Sequence, residues 1–378
     1  MLHEYEISVK IGIIYQKFIS TGGMEAYLFR FARELINSGH QLQVITAQTD
    51  PATEALGASI QKVNLPAVSS TLALMKFERI ARKLIINLPV DITIGFGRTT
   101  QHDLHRAGAG CHAAYIPLLN PFKRRGIKCQ LELKLERSLY TSGRTRHFIV
   151  NSSMVRDQIM ENYAINPEAI TIIHTAVDAA YYSPPDHNDQ SAELRKSLGI
   201  DDEIPVILFA ARSHRRKGLA TLMAAWPEIH RQTGAHLWIA GPSIKRFTGS
   251  LPIKMQETIQ LFSGLDDIKH LYQAANLFVH PTFYDACANT VLQSMACGLP
   301  GIISCADGAR QFIENGNNGW LLEDPHDHLA LKELVIQAIN HRNLSAIGQQ
   351  ARKTVLPLTW DAHLTAWKNQ FERITESR

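Results

Sequence analysis

Four cations crowd one short stretch of the chain, Arg212, Arg215, Arg216 and Lys217, and Gly218 closes it. Guanidinium and ammonium groups bind phosphate oxygens, and a helix N-terminus just beyond would add its dipole, so this loop suits a diphosphate. A solvated charged loop is the alternative. A second stretch, His280 to Pro300, reads as a strand end, a loop holding the acid Asp285, a helix, and a Gly298-Leu299-Pro300 stop. Near the start, Gly22-Gly23 precede a helical pattern. Adjacent amides at a helix start offer an anion site, although a glycine pair also makes a tight turn. Asp324, His326, Asp327 and His328 are metal-ligating types, but Asp324-Pro325 reads as an N-cap with proline at the first helical position. No Asp-x-Asp triplet occurs, so a metal-bridged diphosphate lacks obvious ligands and no metal is expected.

The elements that must position these residues alternate. Ile7 to Ile14 is a β-rich run, and Met24, Tyr27, Leu28, Phe31, Ala32 and Leu35 then recur at helical spacing up to Gly39, a C-cap residue. Leu42–Thr46, Val90–Phe96, Phe148–Val150 and Ile170–Ile173 are further runs of strand length. From Tyr181 to Gln190 turn formers replace the apolar periodicity, which marks a linker. The alternation restarts with Val206–Ala211, Leu237–Ala240, Ile259–Phe262, Leu277–His280 and Ile302–Ser304. A closing helix, Thr359 to Ile374, gathers Trp360, His363, Leu364, Trp367 and Phe371 on one face. Such alternation predicts α/β architecture with doubly wound parallel sheets, in two domains, 1–180 and 186–355, with helix 359–376 packing back onto the first. Open sheets of this kind bind ligands beyond the carboxyl ends of their strands, so the active site is expected in a cleft where the two domains face each other.

Bulk properties agree. A chain of 378 residues exceeds the usual size of one core. Its 45% hydrophobic and 20% charged composition is that of a globular protein. Five cysteines with no C-x-x-C pair favour a reducing compartment, and without a signal-like or spanning apolar stretch the expectation is a cytoplasmic protein. Net charge is +4, yet residues 121–146 hold eight Lys and Arg against Glu132 and Glu136, 8 − 2 = +6, which leaves −2 elsewhere. Within this segment Ile127, Leu131, Leu133, Leu135 and Leu139 supply apolar positions. A basic amphipathic helix of this type lies on an anionic membrane surface, or is an ordinary solvated surface helix.

The stretch from His280 to Pro300 resembles the donor-binding signature of the retaining GT-B glycosyltransferases of family four: an acid, seven residues, a second position, and a helix ending in Ala-x-Gly-x-Pro. Other segments match in order. Gly22-Gly23 stand where that family has its N-terminal glycine loop, Val177-Asp178 with Tyr182-Ser183-Pro184 resemble its linker signature, and Arg212 and Lys217 match its diphosphate-binding Arg and Lys, five apart. Gly97-Arg98 and His102 to His112, followed by the basic stretch, resemble the lipopolysaccharide core glucosyltransferase branch, whose basic segment is associated with the inner membrane.

The resemblance implies two Rossmann-like domains in the GT-B arrangement and a hexose moved with retention from a nucleotide diphosphate sugar, a UDP-sugar favoured, to a glycan or glycolipid acceptor of the cell envelope. No cofactor or metal is implied, and no nucleic acid partner. Asp285 would contact sugar hydroxyls, Gln293 the ribose, and Arg212, Lys217, Gly22, Gly23 and the helix start at Asn289 and Thr290 the leaving diphosphate, with His112 a further contact to donor phosphate or sugar. Three positions depart from the family: Asp285 is one methylene shorter than the usual Glu, Gln293 replaces Glu, and Ala109 stands where the core-transferase branch has an acid. A catalytically degenerate nucleotide-sugar-binding protein and a GT-B epimerase are the alternative functions. A dinucleotide dehydrogenase is disfavoured because no Gly-x-Gly-x-x-Gly follows the first strand.

Overall fold

Strand residues of the chain's second half alternate between two apolar layers, which is the mark of a sheet covered on both faces. Val206, Leu208, Ala210, Trp238 and Ala240 enter one core with Val291, Leu292 and Met295, whereas Ile207, Phe209, Leu237 and Ile239 enter another with Leu222, Trp226 and Ile229. In the computed structural model, which describes residues 8–66, 69–185, 190–242, 244, 255, 257–264 and 268–376, the chain divides into two compact units, residues 1–174 with 363–378 and residues 175–362.

The first unit carries a seven-stranded parallel sheet in the order β3-β2-β1-β4-β5-β6-β7. Its strands are β1 Lys10–Ile14, β2 Gln41–Thr46, β3 Ser59–Lys62, β4 Ile92–Gly95, β5 His102–Arg106, β6 Thr145–Val150 and β7 Ile170–Ile172. The second carries six strands in the order β10-β9-β8-β11-β12-β13. These are β8 Val206–Ala210, β9 His236–Ala240, β10 Ile259–Phe262, β11 Leu277–His280, β12 Gly301–Ser304 and β13 Trp320–Leu322. Each sheet therefore starts in its middle, runs outward to one edge, and returns to build the other side. The reversal lies between β1 and β4 in one sheet and between β8 and β11 in the other. At such a reversal the loops leaving neighbouring strands diverge and open a crevice at their carboxyl ends.

Several boundaries differ from the sequence expectation. The first strand begins at Lys10; residues 1–7, with the expected start at Ile7, and residues 186–189 of the expected linker lie outside the described residues. The first unit ends at residue 174 rather than 180. Val177 already packs in the second unit's core and donates its amide to Leu358 O at 2.8 Å. Arg352 also donates to Tyr182 O at 3.1 Å and Ala179 O at 3.3 Å. At the other end that unit extends to residue 362, beyond 355. Helix His328–Ile339 is capped by Asp327, whose Oδ1 accepts from Leu329 N and Ala330 N, so the cap falls three residues beyond Asp324.

The closing helix, Trp360–Glu376, buries His363, Trp367, Phe371 and Ile374, which fall on one stripe at helical spacing. Trp367 lies 4.9 Å from Phe31 and 5.9 Å from Phe371, ring centre to ring centre. His363 is held neutral by burial, at about 3. Its Nδ1–H donates to His174 O at 2.7 Å, which leaves Nε2 to accept from Tyr27 Oη at 2.7 Å. Among the described residues no helix is long and apolar enough to cross a membrane.

Candidate active site

The second unit's reversal point brings together residues far apart in sequence. The loop after β8 holds Ala211 to Gly218, the loop after β11 holds Pro281 to Ala288, and the turn after β12 holds Asp307. Gly218 permits the first loop's close approach to the second: its φ is +79°, and a Cβ there would overlap the carbonyl oxygen of Pro281. Arg216 O accepts from Phe283 N at 2.9 Å and Thr282 Oγ1 at 3.2 Å, which ties the two loops together. Asp285 N in turn donates to Ala306 O and Gly308 N to Asp285 O, so the loop after β12 is held alongside.

Lys217 stands at the centre, 8% exposed. Its Nζ contacts Asp285 Oδ2 and lies 3.2 Å from His280 Nε2. Burial pushes the ammonium down to about 7, against the opposing pull of Asp307. Burial and the charge of Lys217 also push His280 down to about 4, so its ring is neutral near pH 7. A neutral ring donates Nε2–H to Asp307 Oδ2, 3.4 Å away, or accepts from Lys217, but not both. Burial opposes ionisation of Asp307, yet His280, Lys217 and the Ala309 amide outweigh it and hold the carboxyl below its ordinary value. Asp307 Oδ1 accepts from Ala288 N at 3.1 Å and Ala309 N at 2.8 Å, which fixes the start of helix Asn289–Ala296. His280, Asp285 and Asp307 present ligand atoms within 4.8 Å of one another, a set a metal ion can use. In this arrangement the ammonium of Lys217 is the cation that sits against Asp285 and His280.

The expected residues separate into groups. Lys217 and Asp285 are brought into contact. Asn289 and Thr290 open their helix and Gln293 follows one turn later, all half-buried, with Gln293 Oε1 accepting from Tyr272 Oη at 3.5 Å. Arg212 is exposed and forms no side-chain hydrogen bond or ion pair among the described residues. Arg216 takes the place beside the acid instead, 3.6 Å from Asp285 Oδ2 and donating to Tyr284 O at 2.8 Å. The sequence places Arg216 among the four loop cations and His280 at the head of the second stretch without giving either a separate role, and it does not mark Asp307. Asp307 left one usable signal, an acid just beyond the end of an apolar strand.

The first unit has its own crevice at its reversal point, a cavity of about 410 Å³. Its walls come from the carboxyl ends of β1 (Tyr15, Lys17), β4 (Arg98) and β5 (Arg106), from Glu25 in the first turn of helix Met24–Asn37, and from Glu132. Ala109 and Gly110 also line it. Gly22, at φ +140°, leads into this helix, and Gly23 is its N-cap. His112 is not on the cavity wall. It is buried, its Nε2 lies 3.4 Å from Glu132 Oε2, and its amide donates to Glu136 Oε1 at 2.7 Å. Its ring therefore faces Glu132, which does line the cavity. Glu136, 1% exposed, accepts also from Ala113 N, Tyr163 Oη and Arg98, so a carboxylate missed in the sequence organises this wall.

The basic segment folds as two helices, Pro121–Arg125 and Ile127–Thr141. Most of the apolar residues named in this segment are covered: Leu139 is buried, and Leu131, Leu133 and Leu135 are half-buried. Of the expected positions Ile127 is exposed, at 81%, and Phe122 joins it at 91%, beside Lys123, Arg124, Arg125 and Lys128.

Comparison with known proteins bears on both units. The family described as Glycosyltransferase Family 4 matches residues 21–181, and the family described as Glycosyl transferases group 1 matches residues 190–354. The lipopolysaccharide glucosyltransferase WaaG of Escherichia coli K12 is 22% identical over 340 residues, 87% of this chain and 89% of that protein. The uncharacterised glycosyltransferase MJ1607 of Methanocaldococcus jannaschii is 24% identical over 329 residues, 82% of this chain and 83% of that protein. Among solved structures, WaaG superposes with a TM-score of 0.78 at 21% identity, covering 91% of this chain and 95% of its own. HepE of Anabaena in complex with UDP-glucose superposes with a TM-score of 0.73 at 16% identity, covering 95% and 100%.

Proposed function

We propose that this chain, which belongs to the glycosyltransferases of the GT-B fold, is a retaining, metal-independent hexosyltransferase that takes its sugar from a UDP-sugar. The acceptor is a glycan or glycolipid of the cell envelope, and lipopolysaccharide core is the first to test. The observation that carries the reading is the buried Lys217 ammonium held against Asp285 at the second unit's reversal point. An ammonium has three donors. One engaged by Asp285 orients the group, and the others remain for diphosphate oxygens, while Asp285 Oδ1 and its neighbours serve sugar hydroxyls. Asn289, Thr290 and Gln293 line the nucleotide side, and the exposed Arg212 closes on the diphosphate. UDP-glucose in HepE supports uridine as the base.

In the reaction the bond from the anomeric carbon to the diphosphate oxygen breaks. An acceptor hydroxyl oxygen bonds to the same face, and its proton passes to the departing phosphate. Charge grows on the diphosphate as the bond breaks, and a fixed cation in a dry site stabilises it more in the transition state than in the ground state. In this reading Lys217 supplies that charge, without a divalent cation. The exposed Phe122 and Ile127, ringed by basic side chains, support peripheral contact of this tip with an anionic membrane surface.

The competing reading, a degenerate binder, rests on Gln293, an amide where the family has an acid, and on Ala109, which lines the first unit's cavity without an acid of its own. Glu25 and Glu132 line the same cavity, so carboxylates are present there. A calorimetric screen of UDP-, GDP- and ADP-sugars in chelator, with and without deacylated lipopolysaccharide core, decides between them. UDP-sugar binding with acceptor-dependent UDP release is expected, and Lys217→Ala should weaken donor binding at least about tenfold, or about 1.4 kcal/mol. Binding without release under every acceptor would favour the degenerate reading. Unchanged donor affinity in Lys217→Ala would remove the diphosphate site.

A further inference from the structure

The charges around the first unit's cavity are unevenly committed. Four cations line it, Lys17, Arg98, Arg106 and Lys128, against the acids Glu25 and Glu132, 4 − 2 = +2. Counting Glu136, which pairs with Arg98 at 3.1 Å from outside the wall, the balance is still +1. His105 adds nothing, because burial and the nearby charges hold it far below its ordinary value and therefore neutral. The carboxylates are already engaged by the protein: Glu25 accepts from Tyr15 Oη at 3.2 Å, Glu132 faces His112 at 3.4 Å and Lys128 at 4.0 Å, and Glu136 accepts two amides and a phenol.

Two cations are placed differently. Arg106 is 3% exposed and stacks its guanidinium 3.6 Å over the ring of Tyr27. That ring contact and a hydrogen bond from Nη1 to Met24 Sδ at 3.4 Å hold the guanidinium at the cavity wall, and a guanidinium binds phosphate or carboxylate through its N–H groups. Lys17 is exposed just after β1 and makes no ion pair among the described residues. Helix Met24–Asn37 also starts at the cavity wall, so the positive end of a 14-residue helix faces the same space. A neutral sugar needs none of this positive charge, and a buried guanidinium is costly to keep.

We propose that this cavity is a subsite for an anionic carbohydrate, the phosphate- or carboxylate-bearing part of the acceptor, with Arg106 as its buried anchor and Lys17 at its mouth. The proposal rests on the glycosyltransferase reading for the word acceptor, and on the cavity alone for the charge it selects.

The test is calorimetric titration of the full chain with three probes: deacylated lipopolysaccharide core oligosaccharide as isolated, after phosphatase treatment, and after reduction of its carboxylates, with UDP-glucose titrated separately. At least one treatment is expected to weaken binding about tenfold or more, and which one names the anion. Lys17→Gln and Arg106→Gln should each weaken the untreated probe and leave UDP-glucose affinity unchanged. Lys17 is on the surface, so its variant keeps the test open if the buried substitution prevents folding. Equal affinity for all three probes, or an unaltered affinity for the untreated probe in Lys17→Gln, would overturn the subsite. Failure of UDP-glucose to bind while charge-dependent oligosaccharide binding persists would remove the donor reading and leave the subsite standing.

Discussion

A lysine ammonium in a dry site is stable only beside negative charge, and Lys217 has Asp285 in contact and Asp307 close by. Its depressed value, about 7, makes the site sensitive to pH in the physiological range. A bound diphosphate adds negative charge and raises that value, so donor binding takes up a proton wherever the free enzyme's lysine is partly neutral. The affinity for UDP-glucose should be full below pH 7 and fall as pH rises through the free lysine's value, until the bound form also titrates. Calorimetry near pH 8 in buffers of different ionisation enthalpy reads this directly. An enthalpy independent of buffer, with an affinity flat from pH 6 to pH 9, would mean that Lys217 stays charged throughout. The acid and the lysine were both legible in sequence, because strand-to-loop position and residue type marked them. Their contact was not, because 68 residues separate them.

At the scale of elements, the least legible strand is β5, His-Asp-Leu-His-Arg, every residue of it buried. It shows neither an apolar run nor a clean alternation, so periodicity cannot find it. Some of its polar atoms are met locally: Asp103 Oδ2 accepts from Thr93 N and Oγ1, and His102 Nε2 meets Thr99 Oγ1 at 2.8 Å, whereas the buried Nδ1 atoms of His102 and His105 have no hydrogen-bond partner among the described residues. The strand ends at Arg106, which lines the cavity. Helix Ile127–Thr141 carries the reverse lesson. Its leucines read as apolar positions of a basic amphipathic helix, yet packing claims most of them, and the exposed apolar pair sits at Phe122 and Ile127. Replacing both by Asp should abolish flotation with vesicles of phosphatidylglycerol and phosphatidylethanolamine, because it removes the inserted apolar area and adds like charge to an anionic surface. Undiminished flotation of the double variant would make the tip an ordinary solvated surface.

Over the whole molecule the chain crosses from one unit to the other near residue 174 and returns near residue 363. The first unit is therefore completed by a helix that follows the whole second unit in sequence. Trp367 is fully buried against Phe31 and Phe371, and its indole donates to His363 Nε2 at 3.1 Å. Trp367→Ala should cost about 3–5 kcal/mol, as buried aromatic truncations do, and urea denaturation followed by circular dichroism measures it. A loss below about 1 kcal/mol would show that the helix contributes little to the first unit.

The order of apolar runs, glycine turns and cations along the chain was enough to determine the α/β class, two doubly wound sheets, the closing helix and the strand ends from which ligand-binding loops leave. These features are local, written in periods of two and 3.6 residues that one segment carries by itself. Tertiary structure alone decided the partners. Strand order sets β8 beside β11 and so brings Lys217 to Asp285, and β12 beside β11 and so brings Asp307 to His280. In the same way β1, β4 and β5 meet to wall a cationic cavity from Lys17, Arg98 and Arg106. Which Arg stands beside the acid, which His lines the crevice and which leucines face water depend on loop geometry and packing, because residue type allows each of them more than one place.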